Sequence, residues 1–332
     1  MKIIKQNAGL EVDSKKLKVS FQVLKEDLTL KTKASKSFSN TQPGIEALEN
    51  WLNKKRLTGL DVHLTMEATG VYYENLAYHF HSKKGFIVHV VLPNMSNAFF
   101  KSHNLKSKTD EIDAVGLGMM GLERNLAVWQ PISPQMRILK KLARERLRIV
   151  KEKTLVTNQL RSEKSSYKPS STAIDRFEKR LSFLKEQIKE IEKELAEEVT
   201  KDKELQQRID HVCTAKGVGF ITAIGVVAEL NGFTLFKNRN QVVSYNGYDI
   251  VKRQSGTSVK GKTKISKKGN SYVRQMLYMA AMSATVHDEH HKAYYDRIVA
   301  KTSIPLKGNV ACLLYTSPSP RDQRGSRMPS SA

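Results

Sequence analysis

Four places in the chain offer carboxylates whose spacing suits metal-assisted chemistry. Glu11 and Asp13 lie on an alternating apolar run, and Glu67 ends a second such run. Asp110 and Asp113 sit in KSKTDEIDAVGLG behind Thr109, a residue type that caps helices. A separation of three sets Asp110 and Asp113 on one helical face. Acids gathered in one cleft repel one another and raise their pKa values unless divalent cations neutralise them. Hard oxygen donors suit Mg²⁺ or Mn²⁺. Two such ions about 4 Å apart can clamp the attacking and leaving oxygens of a phosphodiester. Each acid alone is also an ordinary helix-dipole partner. The ensemble, set in a basic chain, points to a metal-dependent, nuclease-like site.

A second chemical element is Ser255, in Arg253-Gln254-Ser255-Gly256. It lies in a stretch, 251–274, that holds Lys252, Arg253, Lys260, Lys262, Lys264, Lys267, Lys268 and Arg274 but no Asp or Glu. A serine beside glycine has an accessible hydroxyl, and flanking cations could steady a phosphate during phosphoryl transfer. On spacing alone, a turn serine in a solvated loop is the simpler reading. Gly217-x-Gly219 ahead of an apolar helix could turn backbone N–H groups toward a phosphate, or serve only as a packing turn. The cluster His287-Asp288-Glu289-His290-His291 lacks the H-E-x-x-H order of a zinc helix and reads as a polar helix end.

The elements that must position these residues follow from periodicity. Leu10, Val12, Leu17, Val19, Phe21 and Val23 alternate around Ser14-Lys15, which predicts a hairpin. Leu60 to Met66 alternates and stops before Gly70; a helix is expected from Tyr72 to His81, and FIVHVVL (86–92) is a compact strand. Strands alternating with helices predict an α/β domain. From Ile138 to Asp210 glycine is absent and charge is dense, with one break at 165–171. There Phe177, Leu181, Leu184, Ile188, Ile191 and Leu195 step by 4, 3, 4, 3, 4, the seam of paired helices. Helices are expected again after Gly219, over 240–245 and over 273–286.

Composition narrows the partners. The 332 residues carry 56 Lys+Arg against 33 Asp+Glu, a formal charge of +23, which favours a polyanion, nucleic acid before membrane surface. An apolar share of 39% argues against wholesale disorder. No apolar run approaches the roughly 20 residues of a bilayer span, and MKIIKQNAGLEVDSKK lacks the apolar core of a secretory signal. Cys213 and Cys312 are too few for a disulfide framework or a cysteine-type zinc site, and a reducing cytoplasm fits.

The motifs GLEVDSKKLKV, MEATGVYYENLAYHF, KSKTDEIDAVGLG, KGVGFITAIGVVAEL, VVSYNGYDIVKRQSGTSVKGKTKISKKGN and VRQMLYMAAMSA, in that order, resemble those of the insertion-sequence-110 family of transposases. These are DEDD recombinases that act with a structured non-coding (bridge) RNA. The resemblance implies an α/β RNase H-like (RuvC-like) catalytic domain over 1–135, a coiled-coil helical hairpin over 136–210, and a mainly helical transposase domain over 211–314. Residues 315–332 read as a disordered or non-native tail.

Carried over by motif, Glu67 matches the family's glutamate, and Asp110 and Asp113 match its last two aspartates. Glu11 falls where the family has aspartate, since G-L-E-V stands in place of G-I-D-V. Glutamate is one methylene longer; Asp13, two residues on along a strand and facing the same side, is the alternative ligand. Ser255 matches the serine expected to join covalently to DNA. The resemblance further implies Mg²⁺ or Mn²⁺, double-stranded DNA, bridge RNA, and a homo-oligomer (dimer or tetramer) through the coiled coil. It implies a bacterial or archaeal cytoplasm with nucleoid association. Two other functions remain open at this point: a RuvC-like Holliday-junction nuclease using water, and an inactive nucleic-acid-binding remnant.

Overall fold

The computed structural model describes residues 2–302 apart from 106, 108, 253, 256–258 and 262–263. The helical signal at 308–314 and the tail from 315 therefore lie outside the described residues. The chain divides into two compact units, the first ending at Pro131 and the second beginning at Ile132.

The first unit is a mixed sheet with helices on both faces. Its elements are β1 (Ile3–Val12), β2 (Lys16–Lys25), β3 (Leu30–Ser39), α1 (Gln42–Lys55), β4 (Val62–Glu67), α2 (Glu74–His81), β5 (Phe86–Val91), α3 (Pro93–Ser102) and α4 (Asp110–Glu123). The strand order is β3-β2-β1-β4-β5. β1, β2 and β3 form an antiparallel meander, whereas β4 and β5 run parallel to β1. Alternation assigns the faces. Ala8, Leu10, Leu17, Val19, Phe21, Leu64 and Met66 pack with Ile45, Leu48 and Leu52 of α1 and with Leu76 and Phe80 of α2. Each fully buried Leu or Phe there contributes about 1.5–3 kcal/mol of apolar transfer. The opposite face bears Asn7, Gly9 and Thr65 and receives α4.

The expected hairpin and the strands at 62–67 and 86–91 are present. Three elements of the first unit have no counterpart in the reading of the sequence: β3, α1 and α3. β3 has almost no apolar signal because it is the sheet edge, anchored on one side by Phe38 against Trp51 at a ring separation of 5.8 Å. Pro93 does not merely close β5; it opens α3, where its missing N–H costs nothing.

The second unit begins with α5 (Pro134–Lys164) and α6 (Ser171–Thr200), joined by a short turn. Ion pairs Arg146–Glu192, Glu152–Arg180 and Lys164–Glu178 fix an antiparallel hairpin. The apolar seam is filled from within the chain. Phe177, Leu181 and Leu184 pack with Val156, while Ile191 and Leu195 share a core with Leu139, Leu205, Ile209, Ala223 and Ile224. That core joins the hairpin base to α7 (Lys203–Cys213) and α8 (Phe220–Glu229), so the hairpin over 136–210 and the region from 211 are held by common packing. α9 (Arg239–Tyr245) follows. Four two-residue strands, β6 (Ile250–Val251), β7 (Gln254–Ser255), β8 (Val259–Lys260) and β9 (Lys264–Ile265), then lead to α10 (Ser271–His287) and α11 (Glu289–Thr302). Among the described residues no helix is long and apolar enough to cross a membrane.

Candidate active site

Parallel pairing of β1 with β4 sets Gly9 beside Thr65 and Leu10 beside Met66. Continued by one residue, this register would bring Glu11 level with Glu67. Both belong to the face that receives α4, because residues two apart share a face and Asn7 and Thr65 meet across it at 3.1 Å. On the other side of β1, Glu11 is directly opposite Lys18 of β2.

α4 brings two more acids to this end of the sheet. Its seat is built of glycine. A Cβ at Gly9 would collide with the Ala114 carbonyl oxygen and the Gly118 nitrogen, and one at Gly121 with Thr65 and Asn7. The helix therefore rests almost directly on β1. Thr109 caps it, accepting from the Ile112 N–H at 3.3 Å. Its stripes assign directions. Ala114, Gly118 and Gly121 lie over β1 and β4, and Val115 reaches Gln22 of β2 through its carbonyl. Leu117 and Met120 pack with Val91 and Phe99 on the β5–α3 side. By helical spacing, Asp110 continues the Ala114 stripe and Asp113 the Leu117 stripe toward β4, whereas Glu111 lies on the β2 side and pairs with Lys18.

Local partners hold Glu67. Ser96 of α3 donates to Oε2 at 2.5 Å and Thr69 to Oε1 at 3.0 Å. Neither partner is marked by sequence spacing alone. Asp13 does not extend β1: the strand ends at Val12, and the exposed Asp13 opens the turn, its N–H donating to the Lys16 carbonyl at 2.9 Å. In donor type the four acids Glu11, Glu67, Asp110 and Asp113 suit a hard divalent cation. Among the described residues, however, no three His, Cys, Asp or Glu side chains are already gathered as a metal-binding group.

Ser255 belongs to the second unit. The basic stretch is not an open loop throughout. β6 pairs with β9 (Ile250 with Ile265, Val251 with Lys264), and β7 pairs with β8 (Gln254 with Lys260, Ser255 with Val259). Ser255 is thus carried on an antiparallel ribbon. Arg253, Gly256 and Lys262 lie outside the described residues, as do the side chains of Ser255 and Lys260. Lys252, Lys264, Lys267 and Lys268 are exposed. Arg274 is turned inward and donates to the Asn246 carbonyl at 2.8 Å, bracing the ribbon base.

A buried cluster below the ribbon has no sequence signature. Glu229, 3% exposed, accepts from Arg144 at 2.5 and 3.0 Å and from Asn270 at 2.7 Å, with Lys140 at 3.6 Å. Burial pushes the Glu229 carboxyl up, but Arg144, Lys140 and Asn270 outweigh it and hold the carboxyl below its usual range. Asn270 also caps α10. Arg144 lies 4.3 Å from the Tyr272 ring centroid. Gly217 serves packing: its φ is +88°, and a Cβ would crowd the Ala280 carbonyl and Ala284 of α10. The histidine cluster is a helix junction in which Asp288 accepts from the His291 N–H at 3.0 Å and the ring at 2.7 Å; these bonds hold its carboxyl down to about 2.

A family model described as transposase, of the DEDD IS110 type, matches residues 11–169, and one described as Transposase IS116/IS110/IS902 family matches residues 209–296. Pilin gene-inverting proteins of Moraxella bovis and Moraxella lacunata are each 27% identical to the chain over 254 residues, covering 74% of it and 74% of their own length. The mixed sheet with its flanking helices, together with the DEDD match, fits an RNase H-like fold.

Proposed function

The chain belongs to the IS110 family of transposases and is a DNA transposase/recombinase, and from that premise we propose a two-part active site. One part is Glu11, Glu67, Asp110 and Asp113; the other is Ser255. The observation that supports the reading is the parallel pair Leu10–Met66, one residue before Glu11 and Glu67, on the sheet face covered by the helix that starts with Asp110 and Asp113. Four acids converging on one strand end would destabilise one another without a cation. A bound Mg²⁺ or Mn²⁺ would supply charge neutralisation and Lewis-acid stabilisation at the phosphate.

This chain's residues then have separate tasks. Ser96 and Thr69 orient Glu67. Thr109 and the glycine seat orient Asp110 and Asp113. The Ser255 oxygen attacks phosphorus and loses its proton; an Oγ–P bond forms, and the P–O bond to one sugar breaks, that sugar oxygen taking up a proton. Attack by a sugar hydroxyl of the second duplex reverses the balance, joins new strands and frees the serine. Lys252, Lys264, Lys267 and Lys268, with Arg253, Lys260 and Lys262, contact backbone phosphates. Target choice by pairing with a bridge RNA, which the resemblance to the family implies, is part of the same proposal. The relatives named for inverting a pilin gene support a recombination reaction rather than simple cleavage. Because the 177–195 seam is filled internally, contact between copies would use the hairpin's outer surface, where Leu155 and Phe183 are 56% and 58% exposed.

Ser255→Ala tests this reading. A serine nucleophile predicts loss of strand exchange and of any covalent protein–DNA adduct on a denaturing gel. Intact cleavage by the variant would instead identify water as the nucleophile and a junction-nuclease activity.

A further inference from the structure

β3 is an edge strand with an unusual composition on the face it shares with α4. Register places Ser39 beside Lys16, Ser37 beside Lys18 and Ser35 beside Ser20. Lys18 is itself opposite Glu11. One row across the sheet therefore reads Glu11, Lys18, Ser37. Ser35, Ser37 and Ser39 are all exposed, and α4 packs on β1, β2 and β4, leaving β3 open on this side. Between β3 and the start of α4 lies a groove of about 260 Å³, lined by Lys18, Ser20, Ser35, Ser37, Glu111 and Val115 among others. Neither β2 nor β3 contains Asp or Glu.

We propose that this hydroxyl-and-lysine groove holds the backbone of the DNA strand that leads to the acidic site. The inference rests on the two-part site proposed above. Serine hydroxyls and lysines are standard phosphate partners that position a strand without reading its sequence. Strand spacing puts Ser37 about 10 Å from Glu11 on the same sheet face, within reach of one nucleic-acid strand. Glu111, the one carboxylate lining the groove among the described residues, is neutralised by Lys18. Lys18 is positioned to exchange Glu111 for an arriving phosphate.

The test is binding of a fluorescent 30-base-pair DNA duplex of arbitrary sequence, followed by anisotropy as salt is varied, using the full chain. The double variant Ser35→Glu/Ser37→Glu places two charges at exposed positions. Asn53→Glu/Ser82→Glu, exposed positions elsewhere on the same unit, controls for net charge. The groove predicts at least a tenfold rise in Kd for the first variant beyond the control, and a salt slope smaller by about 1–2, since each lost phosphate contact removes about 0.9. Equal Kd and slope in the two variants would overturn the proposal, as would a loss confined to an RNA duplex. Glu67→Gln separates this from the active-site reading. If it abolishes cleavage while the groove variant binds normally, only the groove is wrong. If it cleaves normally while the groove variant binds poorly, the site assignment fails and the groove stands.

Discussion

Leu10 and Met66 pair on neighbouring parallel strands, and each is followed in the chain by a glutamate, Glu11 and Glu67. Their strands are separated in sequence by β2, β3 and α1, so the juxtaposition is made by sheet topology. At this strand end the start of α4, with Asp110 and Asp113, lies over β1, which is where the proposed carboxylate site would be built.

The glycine seat gives the most direct structural consequence. Gly9→Ala is expected to push α4 off β1, because the new methyl meets backbone atoms that cannot rotate away. Loss of about 3 kcal/mol, the upper end of overpacking costs, should appear in urea unfolding. Catalysis should fall further than the remaining folded fraction accounts for, since Asp110 and Asp113 move with the helix.

Ser96 is expected to act through Glu67. Ser96→Ala removes a donor to Oε2 while leaving the charge. Strand cleavage should fall about 10-fold, with a larger loss at limiting Mg²⁺ than at saturating Mg²⁺. DNA affinity, measured separately, should not change.

The Glu229 cluster predicts a stability effect in the second unit. Glu229→Ala removes the buried acceptor of Arg144 and Asn270; breaking a buried pair costs about 3–5 kcal/mol, and the partial exposure of Arg144 sets the expectation at the lower end. Thermal unfolding of the full chain checks this. Glu229→Gln should recover part of the loss, because it keeps an acceptor for Arg144 and Asn270.

Acid should weaken the first unit through a histidine pair. His89 Nδ1–H donates to the Ala127 carbonyl at 2.9 Å, which leaves Nε2 to accept from His63 Nδ1 at 2.8 Å. Burial, Lys5 and His89 push His63 down to about 4. The folded state thus resists a proton that the unfolded chain accepts near pH 6.5. Stability should be complete above about pH 6.5 and decline as pH falls toward 4. His63→Leu should flatten that limb in unfolding curves recorded at several pH values. Glu229, whose pKa is depressed, contributes in the opposite sense of charge and loses its contribution only below the ordinary glutamate range.

The sequence made half of this legible. β1, β2, β4 and β5 alternate because one face of each is buried, and the hairpin seam repeats because α5 fills it. β3 was silent because an edge strand over solvent needs no apolar alternation. α3 was silent because Pro93 looks alike as a stop and as a start. The acids could be chosen by type and motif, but their levels depend on register between strands far apart in the chain. Glu229 and Arg144, 85 residues apart, carry no spacing signal, and no periodicity marks a buried ion pair.

The central claim is that the carboxylates at this strand end share divalent ions. Manganese binding to the full chain, read by electron paramagnetic resonance without DNA or turnover, tests it most directly. Wild type should bind Mn²⁺ at sites that vanish in Glu67→Gln/Asp113→Asn and weaken in Glu11→Gln, with folding unchanged by circular dichroism. Mn²⁺ titrations that superimpose for wild type and these variants would contradict the account.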